Sequence, residues 1–229
     1  MNLIAIAAGE IGDDGGVTLQ GGRAHHVIHV LHVTVGQPVR IGVLDGPLGI
    51  GRVLAVDDSQ VTLQCELEDR PPERPRVDLL LALPRPKVLR RLWAQLAAIG
   101  VGRIMLTNAE RVERNYFDTH LLAPEVYRPL LIEGLQQARD THVPLVSIHR
   151  RFRVLIEDGL DALSPGTTRI VADPAATARV HDVSAAGRAQ RILLAVGPEG
   201  GWNDFELGLL EARGFQRASI GQRTPICLQ

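Results

Sequence analysis

The residues with the clearest capacity for chemistry form a glycine-rich loop near the end of the 229-residue chain. This loop, residues 197–202, directly follows the apolar run 192–196, whose short aliphatic character is typical of a strand buried on both faces. Gly197, Gly200 and Gly201 would let the backbone turn sharply and approach a ligand closely. The loop could therefore bind a ligand, although a tight strand-to-helix turn would use the same glycines.

A helix start is predicted immediately after the loop. Asn203 can serve as the N-cap, and Glu206, three residues later, can complete a capping box. A strand, a glycine loop and a helix N-terminus in this order form a ligand cradle in α/β sheets. The glycines do not follow the G-x-G-x-x-G spacing and do not lie in the first βα unit, so a nucleotide-dependent oxidoreductase is disfavoured.

A second candidate is a basic helix face. Lys87, Arg91 and Gln95 are spaced four residues apart, so they fall on one side of a predicted helix, opposite its apolar stripe. Arg85 and Arg90 widen this side. Such a face could bind phosphate groups, and an ordinary solvated surface is the alternative.

A third candidate is the charged segment 110–114, which lies just beyond a predicted strand that ends at Leu106. Loops at the carboxyl ends of parallel strands are where α/β proteins bind ligands. An exposed, ion-paired helix start would explain the same charges.

Four histidines share the helical i, i+3 and i, i+4 spacing that could suit a metal: His25, His26, His29 and His32. Since no cysteine or carboxylate nearby completes a ligand set, surface histidines are favoured. We therefore predict no metal site.

The elements that would position these groups fall into two parts, separated by the Pro-rich, charged segment 70–76. Residues 1–70 contain short strand candidates separated by Gly, Asp and Pro, which indicates a small β-barrel with one helix at 23–32. Residues 74–229 alternate strands and helices, which predicts an α/β fold with a parallel sheet covered on both faces.

The apolar periodicity places the boundaries of these elements. The predicted strands of the first part are 3–7, 37–44, 48–56 and 60–66. Those of the second part are 77–83, 103–106, 145–148, 169–172, 192–196 and 215–220. The predicted helices of the second part are 84–99, 124–138, 152–163 and 204–212.

The amino-acid composition indicates in which cellular compartment the protein works and limits the partners that it can bind. The net charge of −1 excludes a global basic field, so any nucleic-acid contact must come from a local patch. Cys65 and Cys227 match no metal spacing, which indicates a reducing compartment. No apolar run approaches the ~20 residues of a membrane-spanning helix. We therefore expect a cytoplasmic protein.

Several stretches, taken in order, resemble the bacterial 16S ribosomal RNA uridine methyltransferases of the SPOUT superfamily, which modify the N3 atom of uracil. Segments 25–32, 35–37 and 44–46 are similar to that family's small N-terminal PUA-like barrel. Segments 83–87 and 97–104 are similar to the entry of its catalytic domain, and Glu110-Arg111 to an acidic–basic pair. The most specific similarity covers 196–201, Glu206 and 212–215.

The resemblance implies a homodimer with a SPOUT-type parallel sheet and a C-terminal trefoil knot that binds S-adenosylmethionine (SAM). The cofactor residues it implies are Leu106, Thr107, Gly197, Glu199, Gly200, Gly201, Ile220 and Gly221. Glu199 would brace its loop by accepting backbone N–H bonds. Because N3 of uracil must lose a proton, a base or a cation is required, and Arg111 and Arg223 are the cations expected near the uridine.

The partner implied by the resemblance is 16S ribosomal RNA of the small subunit. Arginine and lysine side chains would contact its phosphates, so binding should weaken with salt. The expected RNA-binding residues are Arg23, Arg40, Arg52, Arg85, Lys87, Arg90 and Arg91.

Two departures from the family pattern matter. Arg139 and Asp140 stand where the family has Gly-Arg, which argues against a basic RNA contact there. Residues 224–229 replace the family's Ile-Leu-Arg, its Thr-rich segment and its last helix. We therefore expect an atypical or truncated C-terminus, with an altered last cofactor loop. A non-catalytic RNA-binding protein, or an inactive truncated variant, is the alternative.

Overall fold

The Pro-rich segment 70–76 marks the place where the chain passes from one folded unit to another. The computed structural model describes residues 3–185 and 191–219. The first unit comprises the residues up to 74 with 97–99 and 131–143, and the second comprises 75–96, 100–130 and the residues from 144 onward. The assignment of 1–70 to RNA binding and 74–229 to methyl transfer stays a prediction.

Residues 3–74 of the first unit form a five-stranded sheet and one α-helix. The strands are β1 (Ile4–Ile6), β2 (Gly16–Gln20), β3 (Pro38–Val43), β4 (Leu48–Val56) and β5 (Gln60–Leu67), and the helix is α1 (Gly21–His29). The spatial order is β1-β3-β4-β5-β2, with β1 parallel to β3 and the other neighbours antiparallel.

One face of this sheet is buried. Val17 and Leu19 are buried on β2 while Thr18 between them is exposed, which is the alternation that a sheet with one covered face requires. Val27 of α1 packs into the same core. Within residues 3–185 and 191–219, β1 and β2 are unpaired edges, so the sheet is a half-barrel. A closed PUA-like barrel stays a prediction.

The end of α1 differs from the sequence prediction. The helix ends at His29 rather than His32. His32 has a φ of +50°, in the left-handed region, so it cannot continue a right-handed helix.

The second unit contains a six-stranded, fully parallel sheet, as predicted. The strands are β6 (Val77–Ala82), β7 (Val101–Thr107), β8 (Leu145–His149), β9 (Thr168–Ala172), β10 (Ile192–Val196) and β11 (Gln216–Ala218). Their order is β11-β9-β10-β6-β7-β8. The central strands are aliphatic because helices cover both faces, and Leu79, Leu80 and Leu193 are all buried.

The α-helices described after residue 75 are α2 (Pro86–Ala98), α3 (Pro124–Ala138), α4 (Phe152–Val154), α5 (Leu160–Leu163), α6 (Val180–Ala185) and α7 (Asp204–Ala212), and the C-terminal residues of α2 and α3 belong to the first unit. The predicted helix at 152–163 is interrupted by a π-helical turn, Leu155–Gly159, which separates α4 from α5. Of the helices that the structure describes, none is both long and apolar enough to cross a membrane. The trefoil knot stays a prediction.

Candidate functional site

The carboxyl ends of all six parallel strands lie at one edge of the second sheet. Three neighbouring strands, β10, β6 and β7, are followed there by the glycine loop 197–202, the segment 83–85 and the loop 108–113. Ligand sites of open α/β sheets form at this edge. The fold therefore brings together the three segments that the sequence marked separately.

The predicted capping box at the start of α7 is confirmed. The backbone N–H of Glu206 donates to Asn203 Oδ1 at 2.8 Å, and the backbone N–H of Asn203 donates to Glu206 Oε2 at 2.9 Å. The helix begins at Asp204, directly after the glycine loop. The loop is therefore anchored at its C-terminal end.

Two glycines of the loop are required by close contacts. A Cβ on Gly197 would lie 3.0 Å from the indole ring of Trp202, and a Cβ on Gly200 would lie 2.9 Å from Cδ of Arg111. Gly201 has a φ of +76°, which an L side chain rarely adopts. A side chain at Gly197 or Gly200 would therefore displace Trp202 or Arg111.

Arg111 clamps this loop from the loop that follows β7. Its Nη1 donates to the carbonyl oxygens of Gly200 and, at 3.4 Å, of Gly201. Nη2 and Nε have no acceptor among the described residues, and the side chain is exposed. The guanidinium can therefore hold the loop and still offer two donor groups to a bound anion.

Glu206 joins the glycine loop to the loop after β7. Its side chain is buried, with 3% exposure, and Oε1 accepts the backbone N–H of Glu110 at 2.7 Å. The sequence predicted Glu206 only as a local cap. The contact with Glu110 was missed because it joins residues 96 positions apart.

The sequence predicted that Glu199 braces its loop by accepting backbone N–H bonds, but no backbone N–H of the described residues donates to it. Its carboxylate instead pairs with Arg85 at 2.8 Å. Both side chains are exposed, so the pair contributes at most about 1 kcal/mol. Arg85, expected to contact RNA phosphate, is therefore engaged with the loop.

Three buried polar atoms at the same edge have no hydrogen-bond partner among the described residues. They are Thr107 Oγ1, Asn108 Oδ1 and Trp202 Nε1. A buried polar group left unpaired costs about 1–3 kcal/mol, so each atom is expected to have a ligand or water partner. Together they offer donors and acceptors, which fits a polar cofactor.

Thr107 was predicted as a cofactor residue, whereas Asn108 and Trp202 were not. A neutral side chain in a loop carries no sequence signal of its role. Leu106 is fully buried. Ile220, Gly221 and Arg223 lie outside the described residues.

His149, at the end of β8, is a further half-buried group near this edge. Its backbone C=O accepts the N–H of Asn108 at 3.3 Å, and its Nε2 lies 2.9 Å from Ser147 Oγ. Burial lowers the pKa of His149 below its ordinary value of 6.5.

This lowered pKa predicts a loss of stability on mild acidification. Below pH 6.5 the unfolded His149 takes up a proton that the folded chain resists, so stability falls as the pH drops from 6.5 toward the folded pKa. We expect His149→Gln to reduce the drop in Tm between pH 7.5 and 5.5. His120→Gln, at an exposed histidine of the same unit, should leave the drop unchanged. An equal drop in both variants would contradict this.

The basic face of α2 is exposed to solvent, as predicted. Lys87, Arg90 and Arg91 are exposed, whereas Leu89 and Trp93 are buried on the other side. Their contact with RNA stays a prediction.

The arginines predicted to bind RNA from the first unit differ in their surroundings. Arg40 is exposed, and Arg52 is exposed with Nη1 donating to the Gly36 carbonyl at 3.3 Å. Arg23 is half-buried and forms an ion pair with Glu10, and the hydrogen bond from Arg23 lowers the pKa of that carboxyl. Arg23 is therefore less available to a phosphate than the other two.

The histidines of α1 do not assemble a ligand set. The ring centroids of His25 and His29 lie 4.6 Å apart, and Nε2 of His26 is buried with no hydrogen-bond partner in the described part of the chain. In residues 3–185 and 191–219, no group of three or more His, Cys, Asp or Glu side chains is placed to hold a metal.

Sequence comparison identifies the family. The model of the RNA methyltransferase domain matches residues 71–224, which is more than half of the chain. The chain belongs to the RNA methyltransferase family. The match contains the whole edge described above, from β6 to the glycine loop.

Relatives within the RNA methyltransferase family span nearly the whole chain. A ribosomal RNA small subunit methyltransferase E from Treponema pallidum is 29% identical over 98% of this chain and 85% of its own length. Ribosomal RNA small subunit methyltransferase E 1 from Borreliella burgdorferi is 23% identical over 98% of this chain and 91% of its own length.

Solved structures share the fold. The ribosomal RNA small subunit methyltransferase E from Neisseria gonorrhoeae, crystallised with SAM, has a TM-score of 0.75 and 18% identity over 97% of this chain and 90% of its own. A SAM complex from Legionella pneumophila has a TM-score of 0.72 and 18% identity over 98% of this chain and 91% of its own. At these identities the likeness shows the fold.

Proposed function

We propose that this chain transfers a methyl group from SAM to N3 of a uridine in 16S ribosomal RNA of the small subunit. The observation that carries the proposal is the glycine loop, clamped by Arg111 and Glu206 at the edge of a parallel sheet within the family match. Relatives named as small subunit methyltransferases and neighbours crystallised with SAM support it.

The residues at this edge fit the cofactor. The main-chain groups of Gly197 and the backbone N–H of Gly200 would hold its amino-acid and adenine parts, because the Gly201 N–H already donates to the Pro198 carbonyl oxygen and the Gly200 and Gly201 carbonyls accept from Arg111. The unpaired atoms of Thr107, Asn108 and Trp202 would supply side-chain partners. Bound SAM supplies an activated methyl group on a sulfonium, which leaves as a neutral thioether.

The protein residues orient the acceptor and stabilise charge. Among the described residues Arg111 Nη2 and Nε meet no acceptor, and beside the loop they would stabilise the uracil anion formed when N3 loses its proton. Trp202 is 7% exposed and packs against Phe152 with ring centroids 5.3 Å apart, so it would keep water from beneath the loop. Holding the two reactants in line is the main catalytic task.

RNA binding completes the proposal. The exposed α2 face, with Arg40 and Arg52 of the first unit, would contact phosphates. The PUA-like barrel, the trefoil knot, the homodimer and a cytoplasmic location belong to the same proposal and follow from the family resemblance.

Titration calorimetry tests this assignment against its alternatives. We expect SAM to bind with measurable heat and NADH to give none. Retained binding to 16S ribosomal RNA with no SAM heat would favour a non-catalytic RNA-binding protein. Binding of NADH in place of SAM would indicate an oxidoreductase.

A further inference from the structure

We propose that Glu206 is a positioning residue that aims Arg111 at the reaction through the backbone of Glu110. This inference rests on the proposed function. Both carboxylate oxygens of Glu206 accept backbone N–H groups of the protein itself, so its role is to place another side chain. Three steps support it.

The first step is the placement of the carboxylate. Glu206 is 3% exposed at the first turn of α7, and its two oxygens accept N–H groups from two different segments. Oε2 takes the N–H of Asn203 at 2.9 Å, and Oε1 takes the N–H of Glu110 at 2.7 Å. Hydrogen bonds to a charged carboxylate are short and about twice as strong as neutral ones.

The second step is that the contacts form a closed circuit. Glu110 is held by Glu206, and the adjacent residue Arg111 donates to the carbonyls of Gly200 and Gly201. Gly201 is only two residues from Asn203, where the carboxylate makes its other bond. Any movement of Glu110 therefore moves Arg111 relative to the glycine loop.

The third step concerns the chemistry that the circuit needs. A carboxylate presents acceptors at both oxygens, whereas glutamine presents one acceptor and one NH₂. Glutamine at position 206 would accept a hydrogen bond from one of the two backbone N–H groups and would turn its own NH₂ donor toward the other. The substitution therefore removes one of the two hydrogen bonds while keeping the side-chain volume. A misplacement of about 1 Å far from the chemistry can cost about 100-fold in rate.

The test is a double-mutant cycle between Glu206→Gln and Arg111→Gln, read as single-turnover methyl transfer at saturating SAM. We expect E206Q to reduce the rate by about 10- to 100-fold. In the R111Q background we expect E206Q to have almost no further effect, because its role is exerted through Arg111. Glu211→Gln, at an exposed glutamate of the same helix, is the matched control and should keep the wild-type rate.

A second readout does not depend on activity. Amide hydrogen exchange should show that Glu110 is protected in the wild type and in E211Q and loses at least about tenfold of its protection in E206Q. The inference would be overturned if E206Q reduced the methyl-transfer rate by the same factor in the wild-type and R111Q backgrounds. It would also be overturned if E206Q left the exchange rate of the Glu110 amide unchanged. A wild-type chain that transfers no methyl group would instead defeat the proposed function, and the exchange data alone would then decide whether Glu206 holds Glu110.

Discussion

Replacing Arg111 with glutamine is expected to reduce methyl transfer by about 100- to 1000-fold, the usual cost of removing one preorganised donor from a developing negative charge. The variant loses the clamp on the Gly200 and Gly201 carbonyls and the donors beside the loop. Single-turnover transfer from labelled SAM to undermethylated small subunits measures this effect. SAM binding should weaken far less than the rate.

The neighbouring Arg114 provides the matched control. It is also exposed and lies in the same charged segment, but it makes no contact with the glycine loop among the described residues. Arg114→Gln should keep the wild-type rate. Equal losses in the two variants would mean that general positive charge, rather than the position of Arg111, supports the reaction.

A methyl group added at Gly197 is expected to disrupt the cofactor loop. The Cβ of Gly197→Ala would lie 3.0 Å from the Trp202 ring, which is buried and packed against Phe152 and so cannot move away easily. Overpacking of this kind costs about 1–3 kcal/mol of stability. We expect a lower Tm and at least about tenfold weaker SAM binding, the loss that corresponds to 1.4 kcal/mol.

Gly208 makes a sharp control for this substitution. It is exposed in α7, and a Cβ there would meet no atom within 4 Å. Gly208→Ala should therefore raise stability by about 0.5–1 kcal/mol through helix propensity and leave SAM binding unchanged. Thermal unfolding and calorimetry on both variants separate the steric effect from a general effect of alanine. A Gly197→Ala protein with wild-type SAM affinity would contradict the placement of the loop.

Local pattern was enough to predict much of the second unit. The bounds of β10 (Ile192–Val196), α3 (Pro124–Ala138) and α7 (Asp204–Ala212) match the sequence prediction, because apolar periodicity and an N-cap are properties of short segments. The parallel sheet followed from the alternation of strands and helices.

The connections within the site could not be predicted in the same way. The bond from Arg111 to Gly200 joins residues 89 positions apart, and no local pattern encodes such a distance. The short edge strand β2 was not predicted, because the Asp and Gly residues before it indicate a loop. The π-helical turn 155–159 was also missed, because the periodicity of that segment alone indicates one helix. Family resemblance supplied the expected function, whereas the geometry supplied the roles of Arg111 and Glu206.

Nucleoside mass spectrometry on small subunits from a strain that lacks this modification tests the central claim most directly. After incubation with the protein and SAM, the account predicts one new methyl group per subunit, carried on N3 of a uridine in 16S ribosomal RNA and absent with the Arg111→Gln protein. Unmodified uridine after incubation with a chain that binds both SAM and the subunit, or a methyl group on another atom, would contradict it.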